Sequence, residues 1–201
     1  MSLASKEMMT QGYLSCKLIT SPDSLTSALT DQDVIVNTMS SGAMVNQKLI
    51  IDAAISAGVK RYIPSDYGCF TTNPAAHDLA VVMPMADVQN YLNIKAIEGV
   101  LEWTVFQTGV FLDVMVTVAP LAFDPASKSI QWYDDGKAEF SASNTRTIGW
   151  VIAAALKKPE ETKVRVVFVH DIVLTQKKLV GSGKRYVTAG PEWTETRIDT
   201  A

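Results

Sequence analysis

Apolar positions along the chain fall into short continuous runs and longer helical stripes. Val34-Ile35-Val36 is an apolar run opened by Asp33 and closed by the small polar residues Thr38, Ser40, Ser41 and Gly42, which predicts a buried strand over 33–38. From Met44 to Ala57, Leu49, Ile50, Ala53, Ala54 and Ala57 recur at helical spacing, and Gly58 stands where a helix C-terminus is capped. A second strand, Val59 to Ile63, runs into Pro64-Ser65-Asp66-Tyr67-Gly68. Strand, helix and strand in this order predict a βαβ unit with parallel strands. Ligands bind such sheets where strand carboxyl ends meet loops. Both small-polar clusters therefore belong to one rim.

The same reading extends along the chain. Residues 1–12 are irregular, and Ser15 to Thr20 predicts a strand. Ser21-Pro22-Asp23 starts a helix through Leu25, Ala28 and Leu29, with Ser21 or Asp23 as N-cap. A polar loop from Asp66 to Asp78 precedes a helix from Pro84 to about Ile97, and Trp103 to Gln107 is a strand ended by Thr108-Gly109. Phe111 to Leu121 is apolar, helical or lid-forming. Lys128 to Phe140 predicts a β-hairpin around Asp134-Asp135-Gly136. A helix over Thr145 to Lys157 stops at Pro159, Val164 to Val169 is a strand, and Leu174 to Val180 is a weak helix before a polar tail. The fold class is α/β, a mostly parallel sheet with flanking helices.

Composition narrows the function. Hydrophobic residues make up 47% of 201, enough for a sizeable core in one domain. A net charge of −3 argues against a dedicated nucleic-acid surface. No apolar run approaches the ~20 residues of a membrane span, and residues 1–15 do not read as a signal peptide. Cys16 and Cys69 form no disulfide framework, which fits a reduced, cytoplasmic setting. His77 and His170 are too isolated to predict a metal site; His77 reads as solvated and His170 as a satisfied strand-end residue. Lys157-Lys158 and Lys177-Lys178 read as helix-end charges.

The order DVIVNT, then AGVKRYIPSDYG, then LEWTVFQTGVFLD resembles the NmrA-like and isoflavone-reductase-like proteins, atypical short-chain dehydrogenase relatives with a Rossmann domain that binds NADP(H). The likeness runs from about Leu18 to Lys178. It implies an NAD(P)-binding-type domain over residues 13–201, with a small carboxyl-terminal portion on the substrate side. A Rossmann domain normally opens with GxGxxG, whose glycines admit the pyrophosphate to the backbone. No GxGxxG occurs in the 201 residues: Gly181-Ser182-Gly183 has two of the glycines, with Tyr186 at the third place. In the resembled family the fingerprint lies upstream of the SCKLIT-like strand, so the chain is read as shortened at its N-terminus, lacking the first βαβ unit.

The resemblance also assigns roles. Thr38, Met39 and Ser40 match a loop against the adenosine–pyrophosphate side of the cofactor; the plainer alternative is a tight turn with Ser40 or Ser41 as N-cap. Ser65, Asp66, Tyr67 and Gly68 match a loop near the nicotinamide, where Asp66 is an acid or base only if burial raises its pKa. Thr108 and Gly109 match a turn under the nicotinamide, with Phe111 walling the substrate pocket or simply belonging to the core. The family's proton-transferring lysine aligns with Met85, which neither donates nor accepts a proton at neutral pH. Lys95 lies ten residues on, about 15 Å of helix away. The catalytic residue is thus left unassigned. Two functions stay open. One is an NAD(P)(H)-dependent oxidoreductase of a small, aromatic or secondary-metabolite substrate, impaired by shortening and binding NADP or NAD weakly. The other is a non-catalytic dinucleotide-sensing regulator or interaction protein. Unpaired sheet edges predict self-association.

Overall fold

The computed structural model describes residues 7–8, 14–15, 22–39, 46–68, 71–77, 79–117, 123–188, 190 and 192–199. In chain order the elements are β1 (Glu7–Met8), β2 (Leu14–Ser15), α1 (Pro22–Leu29), β3 (Val34–Val36), α2 (Gln47–Ser56), β4 (Arg61–Ile63), α3 (Met83–Ile97), β5 (Glu102–Gln107), β6 (Val110–Phe111) and α4 (Leu112–Thr117). They continue with β7 (Phe123–Asp124), β8 (Ser129–Tyr133), β9 (Glu139–Ser143), α5 (Thr145–Leu156), α6 (Pro159–Thr162), β10 (Arg165–Phe168), β11 (Ile172–Thr175), α7 (Gln176–Tyr186) and β12 (Thr194–Ile198). The chain divides into two compact units.

The first unit comprises Met1–Asp66, Phe70–Val105 and Pro159–Val167. Its sheet has the order β10-β5-β4-β3. β3, β4 and β5 are parallel, with Ile35 opposite Tyr62 and Tyr62 opposite Trp103. The predicted βαβ unit is therefore present, as α2 joins β3 to β4. Ile51, Ala54, Val59, Tyr62, Val88, Leu92, Leu101, Trp103 and Val105 form its buried core. The buried Arg61 guanidinium fixes the α6 segment, bonding Glu102 at 2.5 Å, the Pro159 carbonyl at 2.9 Å and Thr162 Oγ1 at 3.2 Å.

The second unit comprises Tyr67–Cys69, Phe106–Lys158 and Phe168–Ala201. It holds two three-stranded sheets, β11-β9-β6 and β12-β8-β7. The N-terminus of α5 is satisfied by two distant carboxylates. Asp171 accepts from the Asn144 N–H at 2.8 Å and Asp113 from the Thr145 N–H at 3.1 Å. The Thr145 hydroxyl, which also donates to Asp113 at 2.6 Å, and then the Thr145 N–H hold the Asp113 carboxyl below the usual range, and the Asn144 N–H does the same for Asp171.

Several expectations need correction. No hairpin spans 128–140: β8 pairs with β7 and β12, whereas β9 pairs with β6 and β11. The turn itself exists, with the Gly136 N–H on the Tyr133 carbonyl at 2.9 Å, but the strands leave it for different sheets. Leu174 lies in a strand, and the helix begins at Gln176, capped by the Thr175 hydroxyl, and continues to Tyr186. Gly181 and Gly183 are therefore inside α7. Lys177 and Lys178 sit in its first turn, while Lys184 and Arg185 occupy the last. Pro159 starts a short helix of its own, and Pro22 opens α1, so Asp23 is in its first turn rather than at the cap. Phe111 to Thr117 divides between β6 and α4. The N-cap position of α2 is Asn46, not Ser40 or Ser41. Ser21, Ser40 and Ser41, both cysteines and the predicted strand beyond Ser15 lie outside the described residues.

Candidate functional site

In the first unit a buried polar network ties the carboxyl ends of β3 and β4 to the first residue of α2. The Asn37 N–H donates to the Ile63 carbonyl at 2.9 Å, one step beyond β3. Asn37 Oδ1 accepts the Met39 N–H at 3.0 Å, an Asx turn that bends the chain away from the strand. Asn37 Nδ2 donates to Tyr62 Oη at 2.6 Å and to Gln47 Oε1 at 3.1 Å. The same Gln47 oxygen accepts the Ser65 N–H at 2.9 Å, and Ser65 Oγ donates to the Met39 carbonyl at 2.7 Å. Burial pushes the Tyr62 hydroxyl up to about 12 although the Asn37 bond pulls the other way, so it stays neutral.

Asp66, 1% exposed, follows Ser65 and makes a separate set of bonds. Its carboxylate accepts from Thr71 Oγ1 at 3.0 and 2.9 Å and from Gln89 Nε2, which also lies 2.9 Å from Thr71 Oγ1. Burial raises the Asp66 pKa above the ordinary carboxylate value, and the Gln89 and Thr71 bonds pull it back. Gln89 stands one turn after Met85 on α3. Met85 is half-buried in the first turn, with no titratable group of its own.

The second unit contains Tyr67, Gly68, Thr108, Gly109 and Phe111. The N–H groups of Thr108 and Gly109 each donate to the Gly68 carbonyl at 3.1 Å. Thr108 Oγ1 donates to the Tyr67 carbonyl, and Ser143 Oγ donates to the Thr108 carbonyl at 2.7 Å. Tyr67, Gly68, Thr108 and Gly109 are thus brought together. Phe111 is half-buried in β6. Thr38 is exposed just past β3, and Met39 follows it, half-buried.

Asn37, Gln47, Thr71 and Gln89 were not singled out by sequence reasoning. A signal was available for two of them. Gln47 is a polar residue at the head of an apolar helix, and Gln89 stands four residues after Met85, on the same helix face. His77 differs from the solvated expectation: its Nε2 is buried and has no hydrogen-bond partner among the described residues. His170 is exposed rather than satisfied in a strand end. Among the described residues no group of His, Cys, Asp and Glu is arranged to hold a metal, and no helix is long and apolar enough to cross a membrane.

Parallel strands whose carboxyl ends carry a small-polar rim, beside a helix N-terminus, make this an α/β fold with a mostly parallel sheet. The chain belongs to the NmrA-like family, whose model matches residues 9–188. It is 35% identical over 173 residues to the oxidoreductase aprR of Aspergillus flavus, covering 81% of this chain and 58% of that protein. It is 30% identical over 181 residues to the oxidoreductase poxI of Penicillium oxalicum, covering 85% and 55%. The chain thus spans little more than half the length of these curated relatives. Among solved structures, AtPrR2 with NADP+ and (+)pinoresinol superposes with a TM-score of 0.69 at 20% identity, covering 90% of this chain and 60% of that one. The ternary complex of leucoanthocyanidin reductase from Vitis vinifera gives 0.71 at 16% identity, covering 89% and 61%. At these identities the two structures support the fold alone.

Proposed function

We propose that the chain is the nucleotide-binding portion of an NAD(P)(H)-dependent oxidoreductase of a small aromatic or secondary-metabolite substrate, working in the cytoplasm. The observation that carries the reading is the network at the carboxyl rim of β3 and β4. It holds the ends of two parallel strands and the start of α2 in fixed relation and leaves one buried donor, Gln47 Nε2, without an acceptor among the described residues. A dinucleotide, rich in acceptor oxygens, fits that donor. When bound, its nicotinamide would supply a hydride. The first unit's own residues would orient it. Asn37 and Ser65 fix the loop ends by hydrogen bonds, and Asp66 anchors the following loop to α3 through Gln89.

A second reading is favoured by one residue. Met85 offers no proton in the first turn of α3, which suits a dinucleotide-sensing regulator that binds without turning over. Calorimetric titration with NADPH and NADH tests the shared part. The chain binds NADPH, more weakly than low micromolar because it contains no glycine-rich phosphate loop; no heat at millimolar ligand would refute both readings. NADPH oxidation over a panel of enones separates them. Met85→Lys should raise turnover by about 10²-fold or more if this is the proton-transfer position. Equal rates in protein with measurable turnover would show that it is not.

A further inference from the structure

We infer that the first turn of α2 is a ligand-reading site in which the Gln47 side-chain amide donates to an acceptor oxygen of a bound nicotinamide dinucleotide. This rests on the dinucleotide reading proposed above.

The orientation of the amide is fixed from outside. Two N–H donors, Asn37 Nδ2 at 3.1 Å and the Ser65 backbone at 2.9 Å, point at the same Gln47 atom, which must be the oxygen. The Asn37 amide is fixed in turn, because the Met39 backbone N–H bonds its other arm at 3.0 Å. Reversing either amide would set donor against donor. Gln47 Nε2 is therefore a donor held in one place by backbone groups of the loops after β3 and β4.

That donor has no acceptor among the described residues, and Gln47 is 0% exposed. Buried donors without acceptors are rare in folded proteins, and a ligand oxygen would relieve the penalty. The place is favourable for an electron-rich partner on a second count. Gln47 is the first residue of a ten-residue helix, and Asn46 at the cap position makes no side-chain hydrogen bond to the first-turn N–H groups. Among the described residues, the positive end of the helix thus has no side-chain cap from Asn46. The side chains of the network around it, Asn37, Tyr62 and Ser65, are neutral. Three properties coincide at one atom: a fixed direction, a buried unspent donor, and a helix N-terminus at the carboxyl rim of a parallel sheet.

The test uses the full 201-residue chain labelled with 15N. The Gln47 side-chain amide is identified by nuclear Overhauser contacts to the Ser65 N–H and the Tyr62 ring. On titration with NADP+ to millimolar concentration, both Nε2 protons should move along the binding curve followed by the backbone. Inorganic phosphate at the same concentration should leave them in place. ADP and nicotinamide mononucleotide, added separately, tell which half of the dinucleotide supplies the oxygen. A second measurement uses Gln47→Glu. This variant keeps an oxygen for Asn37 and Ser65 and replaces the free donor with an acceptor. Its affinity for NADP+ should fall about tenfold or more, the effect of one lost ligand hydrogen bond together with a new repulsion. An amide that stays still while backbone signals elsewhere respond overturns the inference and leaves the dinucleotide reading standing. So does a Gln47→Glu variant with unchanged affinity, or an equal response to phosphate alone. Silence of every signal overturns both. If Gln47→Glu does not fold, the wild-type amide still decides.

Discussion

Gly109 offers the sharpest test of how the second unit is built. It adopts φ +68°, and the step before the Val110–Ala142 pair sets it opposite Ser141 of β9. A Cβ there would stand 2.6 Å from the Ser141 carbonyl carbon and 2.5 Å from its Oγ, closer than real Cβ contacts. Gly109→Ala therefore carries two costs. The left-handed backbone conformation costs an alanine about 1–2 kcal/mol, and overpacking against a neighbouring strand's backbone adds about 1–3 kcal/mol. Gly58 supplies the control. It has φ +78° at the end of α2, yet nothing lies within 4 Å of an added Cβ. Gly58→Ala should show the first cost without the second. Any gain from stiffening the unfolded chain is common to both and cancels in the comparison. Urea denaturation followed by circular dichroism and by tryptophan fluorescence would give the two losses. Gly109→Ala should be the less stable by about 1–3 kcal/mol. Equal losses, or a greater loss at Gly58, would refute the argument that β6 approaches β9 too closely for any side chain.

Asp66 predicts a pH dependence. Burial raises its pKa in the folded chain, so the native state binds that proton more tightly than the unfolded state, and the resulting stability is full below the unfolded pKa of about 3.9 and is lost as pH rises through the folded value. The stability of wild type minus that of Asp66→Asn should therefore fall as pH is raised from about 3.5 to 7 in parallel urea titrations; a flat or rising difference would contradict it. β3 is the outer strand of its sheet among the described residues, and Val36 is 38% exposed there. Light scattering should detect self-association that Val36→Lys reduces, since a lysine blunts an open strand edge; a monodisperse wild-type monomer would count against it.

What the sequence revealed follows from which interactions are local. The βαβ unit was readable because its strands are apolar runs and its helix is a stripe: 33–38, 44–57 and 59–63 were expected, and Val34–Val36, Gln47–Ser56 and Arg61–Ile63 are found. The hairpin failed for the complementary reason. Asp134-Asp135-Gly136 does make a turn, but β8 finds its parallel partner at Thr194–Ile198 and β9 an antiparallel one at Ile172–Thr175, pairings that no turn signal encodes. β12 reads TETRI and is exposed throughout, so no apolar alternation announces it. α7 was expected to end at Val180 before a polar tail, yet it runs on to Tyr186, and Gly183 within it lies against the Phe123 ring where a Cβ has no room. At the site, the rim loops were visible as small-polar clusters. The partners that organise them were not, because Gln47 and Gln89 are ordinary helix residues until the fold places them beside Ser65 and Asp66.

That placement separates two tasks that one site usually performs together. Holding a dinucleotide requires fixed donors and a shaped backbone, and the rim supplies some of them: Asn37, Gln47 and Ser65 bind one another through atoms whose directions backbone N–H groups determine. Turning a substrate over requires in addition a group that gives or takes a proton. Asp66 is a poor substitute for it. Both its oxygens already accept hydrogen bonds from Thr71, Gln89 adds another, and the residue is 1% exposed, so a proton transfer there would break the contacts that tie the loop to α3. Met85, four residues before Gln89 on the same helix, occupies the first turn without chemistry to offer. On the reading proposed above, binding depends on residues of the rim and turnover on what stands at the start of α3. A substitution at Gln47 should then move affinity, and a substitution at Met85 should move rate.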